Sequence, residues 1–427
     1  MDRYVKRASR LLIVAPLVLL PTAASAAAGD LDTTFSGDGK KTTDILGLYN
    51  PGYGLALAPD GKIVVAGTAN TGPGNDMGMV RYRPGGNLDD TFSGDGIRTL
   101  DLGAGNEGAE DVAVQPDGRI VAVGYTEGPG GTDFAVARFR EGGALDASFA
   151  GDGIRTTDFA SGLQESYGVA LQDDGKIVVV GYTDDAGGTE ADLLVVRYEA
   201  NGALDPTFSG DGKKVTDFGP GDDIAYDVTV QPDGRIVVVG SASNGASLDF
   251  AIARYDTNGS LDDTFSGDGK KMIDFGSSDG LQGVAIQPDG KIVVAGWSSN
   301  GSDRDVAVAR FRPKGKPDDA FSDEGFVRHD FTFGDDEAHD VALQEDGKIV
   351  VAGKARLATT RFAVLRFQTD GDLDPAFGGS GWATTSFGPG SSTANGVAIQ
   401  TDGKIVAAGQ LSEVTGTDFA LARYLAV

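Results

Sequence analysis

Hydrophobic residues along the chain occur in short runs that are separated by Gly, Asp, Asn and Pro. Within residues 226–276, runs rich in Val, Ile and Phe lie at 228–230, 236–240, 250–255 and 271–275. Short β-branched and aromatic runs between turn residues predict β-strands. No stretch shows a convincing apolar period of 3.6 residues, so helix should be scarce. The unit therefore predicts four strands, which are labelled a, b, c and d in chain order.

The same unit occurs seven times. A D-G-[KR]-I-V turn, an L-D-x-[TS]-F element or a close variant, and a strand-c arginine before Tyr or Phe recur together, with turn glycines 56–59 residues apart. Three landmarks at one period are the signature of a repeat architecture. The glycines are Gly61, Gly118, Gly175, Gly234, Gly290, Gly347 and Gly403; the phenylalanines are Phe35, Phe92, Phe149, Phe208, Phe265, Phe321 and Phe377; the arginines are Arg81, Arg138, Arg197, Arg254, Arg310, Arg366 and Arg423.

Seven four-stranded units with a period of about 57 residues predict an all-β fold, a seven-bladed β-propeller over residues 27–427. A β-solenoid would have coils of roughly 20–30 residues without a tight hairpin inside each. The first repeat segment, residues 41–45, reads as a strand d, whereas the chain ends in a strand c at 419–424. We expect these two strands to pair and to close the ring without a free edge.

Residues 1–26 differ from the repeats and have the pattern of a cleaved signal peptide. Basic residues precede an apolar run at 11–20, and the segment ends in Ala24-Ser25-Ala26, an A-x-A cleavage site. The apolar run is shorter than the ~20 residues that a membrane span needs. We therefore expect a secreted protein, extracellular or periplasmic, with no membrane insertion after cleavage.

Composition and charge exclude several function classes. The chain has 36 basic and 63 acidic residues; residues 1–26 hold four of the bases and one of the acids, so cleavage changes the net charge from −27 to −30. No nucleic acid partner is expected, because phosphates require Lys and Arg patches. The absence of Cys excludes disulfides and thiolate zinc sites, and two His residues are too few for a multi-histidine metal centre.

Two long elements recur in the units, L-D-P-T-F-S-G-D-G-K at residues 204–213 and V-A-I-Q-P-D-G-K-I-V-V-A-G at 284–296. These elements resemble the delta-60 repeat family of secreted bacterial proteins. The resemblance covers all seven units and implies an exported protein of β-propeller type, but it brings no catalytic residues. The sixth unit departs most from the pattern, with Pro317 for Leu, S-D-E-G at 322–325 for S-G-D-G, and Arg361 where other units have Asp.

Residues that recur in every unit are expected to build the blades. We predict that the strand-c arginine pairs with the aspartate at the end of strand d, as Arg81 with Asp101, near the blade rim, for ~0.2–1 kcal/mol per exposed pair. Arg366 should lack this partner, because Ser386 stands there. The recurrent phenylalanines should pack between blades. The S-G-D-G loops lack EF-hand spacing, so their Asp residues are interpreted as turn formers and not as calcium ligands.

A functional site is expected where the units differ. The b–c and d–a loops vary and emerge on one face, here named the variable face, whereas the a–b and c–d loops repeat closely. Residues just before strand a should surround the channel mouth on that face. These candidate ligand-binding residues are Tyr53, Glu110, Tyr167, Tyr226, Gln282, His339 and Asn395, and the next positions are Gly54, Asp111, Gly168, Asp227, Gly283, Asp340 and Gly396.

Tyrosine rings stack on sugars while their hydroxyls form hydrogen bonds. We therefore predict a monomeric binding or scaffold protein that presents its variable face to an extracellular glycan, peptide or protein. The alternative is a calcium-dependent hydrolase or lactonase-like enzyme with channel-bound Ca²⁺ and the ligands Glu110, Asp111, Asp227 and Asp340. The same residues would also suit solvated loops. H-E-x-x-H and P-loop patterns do not occur in the sequence, and no G-x-S-x-G pattern stands in the strand–turn–helix context that a nucleophile needs. The binding protein is therefore preferred to the enzyme.

Overall fold

A computed structural model describes residues 26–426, except positions 46, 73, 104, 129, 160–161, 185–189 and 332–333. The regular elements of this part of the chain are all β-strands, as the hydrophobic pattern predicts. A helix long and apolar enough to cross a membrane does not occur among the described residues. The predicted signal peptide, residues 1–26, lies outside the described residues except for Ala26.

The described strands form seven antiparallel sheets of four, which confirms the seven-bladed propeller. Strands a to d of blade 1 are β2 (Gly52–Leu57), β3 (Ile63–Asn70), β4 (Asn75–Tyr82) and β5 (Ile97–Leu100); those of blade 2 are β6 (Glu107–Val114), β7 (Ile120–Gly128), β8 (Gly131–Phe139) and β9 (Ile154–Thr157); those of blade 3 are β10 (Gln164–Leu171), β11 (Ile177–Asp184), β12 (Ala191–Tyr198) and β13 (Lys213–Thr216); those of blade 4 are β14 (Asp223–Val230), β15 (Ile236–Ser243), β16 (Leu248–Tyr255) and β17 (Lys270–Ile273).

Blades 5 to 7 continue this order. Blade 5 consists of β18 (Asp279–Ile286), β19 (Ile292–Ser299), β20 (Arg304–Phe311) and β21 (Phe326–His329); blade 6 of β22 (Glu337–Leu343), β23 (Ile349–Arg356), β24 (Thr360–Phe367) and β25 (Trp382–Thr385); blade 7 of β26 (Ser391–Ile399), β27 (Ile405–Glu413), β28 (Gly416–Tyr424) and, as its outer strand d, β1 (Lys40–Thr43) from the other end of the chain.

The ring closes through this last sheet, as predicted. Strand β1 pairs antiparallel with β28, from Lys40 opposite Ala422 to Thr43 opposite Phe419. Each strand a contacts the strands a of both neighbouring blades, and β26 of blade 7 contacts β2 of blade 1. Both ends of the described chain therefore lie in one blade, and the seven inner strands surround a central channel.

The hydrophobic core lies between the blades, and the recurrent phenylalanines are part of it, as predicted. Phe92 is fully buried and packs with Val64 and Met77 of blade 1 and with Ala109 and Ile120 of blade 2. The equivalent phenylalanines of the other units are likewise fully buried. Each such ring contributes ~1.5–3 kcal/mol by removal of its apolar surface from water.

The predicted pairing of the strand-c arginine with the aspartate after strand d is wrong. Arg197 Nε donates to Asp205 Oδ2 at 2.7 Å, and this aspartate belongs to the L-D-x-[TS]-F element. Arg197 also donates to the carbonyl oxygen of Thr257 in blade 4 at 2.6 Å, and its guanidinium lies 4.8 Å from the ring centre of Phe208. Arg366 has the same kind of partner, Asp374, at 2.9 Å. Each ion pair is buried and joins strand c to the c–d loop of its own unit, while the arginine's hydrogen bond to a carbonyl oxygen reaches the next blade.

The antiparallel register explains this error. Thr216 at the end of strand d stands opposite Leu193, near the start of strand c, whereas Arg197 lies at the other end of that strand. The aspartate that follows strand d, Asp217, therefore lies by the start of strand c and far from the arginine. It joins a different set of acids, Asp192 and Asp223, on the variable face.

The c–d loops hold their acids in turns. Asp211 Oδ1 accepts a hydrogen bond from the backbone N–H of Lys213 at 3.0 Å. In the same loop Ser209 has a φ of +55°, and its N–H donates to the carbonyl oxygen of Asn258 in the next blade at 2.7 Å. These contacts give the recurrent c–d loop a structural role on the face opposite the variable face.

Candidate functional site at the channel mouth

Every inner strand has a β-bulge at the same height. In blade 2 the pairing steps from Ala109 opposite Gly124 to Asp111 opposite Val123, so Glu110 has no partner on strand b. The bulged residues in blades 2 to 7 are Glu110, Tyr167, Tyr226, Gln282, His339 and Asn395, and in blade 1 the irregularity includes Tyr53 and Gly54.

The candidate residues thus lie within strand a, and the expectation that they precede it is wrong. A bulge turns the side chain of its extra residue away from the regular alternation of the strand. All seven candidate residues line one cavity of about 440 Å³ at the centre of the ring, together with the three aspartates Asp111, Asp227 and Asp340. The structure therefore brings together the complete predicted set.

The three aspartates connect neighbouring inner strands. Asp111 Oδ2 accepts a hydrogen bond from the backbone N–H of Val169 in blade 3 at 2.9 Å, while Oδ1 accepts from Val112 N–H at 2.7 Å. Asp227 and Asp340 make the same two contacts in blades 4 and 6. The alternating glycines are required because the next blade is close: a Cβ on Gly168 would lie 3.0 Å from the Cα of Asp227.

The four residues predicted as calcium ligands do not form a compact acid group. In the described part of the chain, the sets of three acids whose oxygens lie within 4.8 Å of one another do not include Glu110, Asp111, Asp227 or Asp340. Both oxygens of each of these aspartates already accept a backbone N–H. Their observed role is to hold the inner strands together.

One side of the channel mouth is aromatic. The ring of Tyr167 stacks on Tyr182 with centroids 6.1 Å apart and lies 5.4 Å from the ring of Tyr226. The hydroxyl of Tyr167 donates to Glu165 Oε2 at 2.7 Å. Aromatic faces next to hydrogen-bonding oxygens form an amphipathic wall.

The opposite side of the mouth is an ionic network around Glu337. Arg304 donates to Glu337 Oε1 at 2.8 Å, and Lys354 Nζ lies 3.1 Å from Glu337 Oε2. His339 Nε2 lies 3.3 Å from the same carboxylate, and His339 Nδ1 lies 3.0 Å from Asn395 Oδ1. Burial would raise the pKa of Glu337. The hydrogen bonds with His339 and Arg304 and the charge of Lys354 outweigh burial and hold this pKa well below its usual range. The mouth is therefore chemically asymmetric, although the fold that carries it is nearly symmetric.

The channel favours neutral carboxyl groups. Burial, and then the charge of Glu165, raises the pKa of Glu110 to about 8. Burial and the charge of Asp227 raise the pKa of Asp111 to about 8. The pKa of Asp340 is raised by the same two causes. As far as the described residues show, the cavity lining contains no Lys or Arg.

This environment predicts a pH dependence of stability. The pKa of Glu110 is higher in the folded state than in the unfolded chain, so its contribution is complete below about pH 4.5 and is lost as the pH rises through 8. Unfolding by urea should give a free energy that decreases by up to ~1 kcal/mol per pH unit between pH 5 and 8 because of this group. Glu110→Gln should flatten that decrease, whereas Glu324→Gln on an exposed loop should not. Identical slopes for Glu110→Gln and the unmodified protein would contradict the assignment.

Several residues of the mouth escaped the sequence analysis. Glu165 and Glu337 lie two positions before the bulged residue, and Tyr182 and Lys354 follow the glycine of strand b. Both positions vary from unit to unit, as the seven candidates do. An alignment of the units at these two positions would have found them, because residue identity varies there between units just as it does at the seven candidate positions.

Comparison with known proteins identifies the repeated unit. The family described as "Domain of unknown function (DUF5122) beta-propeller" matches the chain seven times, at residues 58–92, 115–149, 172–208, 231–265, 287–321, 344–377 and 400–427. The matches agree with a propeller repeat family, while the delta-60 name stays a resemblance. No curated protein matches the chain in sequence.

Solved structures also match this chain, at low sequence identity. A catalytically inactive virginiamycin B lyase from Staphylococcus aureus, solved with quinupristin, is 11% identical over 90% of this chain and 98% of its own, with a TM-score of 0.52. The polysaccharide lyase Uly1 is 10% identical over 88% and 90%, with a TM-score of 0.49. Sqt1 from Chaetomium thermophilum is 12% identical over 90% and 98%, with a TM-score of 0.44. At such identities a likeness concerns the fold alone.

Proposed function

The chain belongs to the DUF5122 β-propeller family, and we propose that it is a secreted binding protein whose channel mouth takes a neutral carbohydrate. The observation that carries this proposal is the set of bulges. Together they aim one side chain from each of the seven blades into one cavity. A framework that repeats its core and varies its channel residues concentrates chemical differences at a single site. Secretion rests on the signal pattern of residues 1–26.

The chemistry of the mouth favours a sugar over the other predicted ligand classes. The tyrosines at 53, 167 and 226 offer ring faces for the apolar faces of sugar rings, and Gln282 and Asn395 offer amide donors and acceptors. The carboxyl group of Glu110 can donate a hydrogen bond to a sugar hydroxyl or accept one from it, whereas the oxygens of the three aspartates already accept backbone N–H groups. The cavity lining in the described chain contains no Lys or Arg, and the cations beside it, Arg304 and Lys354, are already paired with Glu337. Phosphate and uronate groups require cationic partners, so this site disfavours them.

The aromatic wall supplies a direct mutational test. Tyr167→Ala removes a ring that contacts both Tyr182 and Tyr226, so the affinity for a bound oligosaccharide should fall about 10-fold or more. Tyr167→Phe keeps the ring and removes only the hydroxyl, so it should lose less affinity. Isothermal titration calorimetry with a neutral oligosaccharide found by glycan-array screening measures both.

The control for this test is Val215→Ala, an exposed outer-strand change that should leave binding unaltered. Equal affinity in Tyr167→Ala and the unmodified protein would place the ligand outside the channel mouth. Capture of a peptide and of no glycan would replace the proposed ligand class with the peptide alternative.

A further inference from the structure

Seven clefts between adjacent blades open on the variable face, away from the central channel. Each is formed by three positions: the start of strand c, the residue after strand d, and the start of strand a in the next blade. Between blades 1 and 2 these positions are Asp76, Asp101 and Glu107. The middle position is the aspartate after strand d that the sequence pattern had wrongly paired with the strand-c arginine.

Three of the clefts have acids at all three positions. In each, the three residues can offer one carboxylate oxygen apiece, all within 4.8 Å of one another. Such an arrangement of like charges is costly unless something compensates it. The three sets are Asp76, Asp101 and Glu107; Asp192, Asp217 and Asp223; and Asp249, Asp274 and Asp279.

The deepest acid of each set has an unused oxygen. Glu107 is fully buried, and neither of its carboxylate oxygens has a hydrogen bond of regular geometry, although the backbone N–H groups of Gly105 and Leu102 lie near them. Asp223 and Asp279 are also fully buried, and each accepts a backbone N–H at 2.6 Å with Oδ2. Their Oδ1 atoms have no hydrogen bond of regular geometry, although the N–H of Ser243 and the hydroxyl of Ser298 lie near these carboxyl groups. Buried polar groups are almost always satisfied, so these oxygens point to a ligand that the protein atoms do not supply.

We propose that each of these three clefts binds one Ca²⁺ ion between two blades. The donors are carboxylate oxygens, which suit hard divalent cations and not the softer transition metals. Calcium accepts irregular geometry and six to eight oxygen ligands. Solvent water would therefore complete a site in which the protein supplies three carboxyl groups. The ion would join strands c and d of one blade to strand a of the next, at the edge of the variable face.

The remaining clefts serve as internal comparisons. Gln164 and Asn50 replace the buried acid between blades 2 and 3 and between blades 7 and 1. Between blades 6 and 7 the three positions are Arg361, Ser386 and Ser392. A permanently charged cation therefore stands where other clefts have an acid. The cleft between blades 5 and 6 has three acids that do not approach within 4.8 Å as a group, and it is not assigned an ion.

Calcium titration tests the proposal. Full-length protein stripped with EDTA and dialysed free of chelator should bind three equivalents of Ca²⁺ in isothermal titration calorimetry, with dissociation constants of about 0.1–1 mM as in extracellular modules. Its melting temperature should rise by several degrees at saturation. Glu107→Gln should reduce the stoichiometry to two, and the triple variant with Asp223→Asn and Asp279→Asn should abolish binding.

Two further variants keep the test decisive. Gln164→Glu completes a fourth acidic cleft with Asp133 and Asp158 and should add one equivalent, whereas Glu324→Gln should leave three. If Glu107→Gln does not fold, Asp101→Asn removes the exposed acid of the same cleft instead. No heat and no melting shift at about 10 mM Ca²⁺, or full binding by the triple variant, would overturn the proposal. Equal affinity for Mg²⁺ would overturn the assignment to calcium.

Discussion

Deletion of residues 27–46 is expected to lower the melting temperature by about 10 °C or more. The deletion removes strand β1, and with it the outer strand of blade 7 and its pairing with β28. It also removes Phe35, which is fully buried, and Asp32, which lies 2.8 Å from Arg423. Loss of a buried aromatic ring costs ~3–5 kcal/mol, and so does removal of the acid that pairs with a buried cation.

The matched control is removal of residues 1–26 alone, which leaves every described contact of β1 in place. Differential scanning calorimetry of the two truncated proteins separates the effect of ring closure from the effect of a shorter chain. A melting temperature unchanged by deletion of 27–46 would contradict closure through the N-terminal strand.

Arg197→Met should destabilise the protein by ~3–5 kcal/mol, because it removes the nearest cation of the buried Asp205 and leaves only Lys176, whose Nζ lies 3.8 Å from Oδ2. The side chain also loses its hydrogen bond to the Thr257 carbonyl oxygen of the next blade and its contact with the Phe208 ring. Methionine fills a similar volume, so the loss reports the charged contacts. Equilibrium unfolding in urea measures the change in free energy.

Arg83→Met is the control for this substitution. Arg83 is about half exposed, pairs with exposed Asp90 and lies 3.6 Å from Asp89 Oδ1, while the buried Arg81–Asp89 pair stays intact in the variant. Exposed pairs contribute ~0.2–1 kcal/mol. The expected ratio between the two effects is therefore large. Similar small losses in both variants would show that the recurrent arginine does not join the blades.

The repeat made the fold predictable. Seven copies of one strand pattern fixed the number of blades, and the unpaired strand at each end indicated how the ring closes. The partner of the arginine was not predictable by the same reasoning, because most units offer two aspartates at fixed spacings after the arginine, such as Asp205 and Asp217 after Arg197. Only the antiparallel register, with Thr216 opposite Leu193, shows that Asp205 is within reach and Asp217 is not.

The residues that line the channel were predictable from the sequence, whereas their flanking neighbours such as Glu337 and the geometry of the site were not. Variation between units singled out the seven residues around the channel, and all seven line the cavity. The bulge that aims them inward has no clear signal in the sequence, because it depends on one unpaired residue such as Glu110. The acids of the inter-blade clefts were equally hidden, since Asp101 and Glu107 come from strands of different blades and meet only when the ring forms.

A channel mouth that binds neutral carbohydrate should discriminate between paired oligosaccharides, one neutral and one carrying uronic acid at the same position. Isothermal titration calorimetry measures both affinities directly. We expect the neutral member to bind with a dissociation constant of about 1 mM or tighter, this binding to be lost in Tyr167→Ala, and the acidic member to bind at least 10-fold more weakly. Tighter binding of the acidic member, or binding of the neutral one that Tyr167→Ala leaves unchanged, would contradict this expectation.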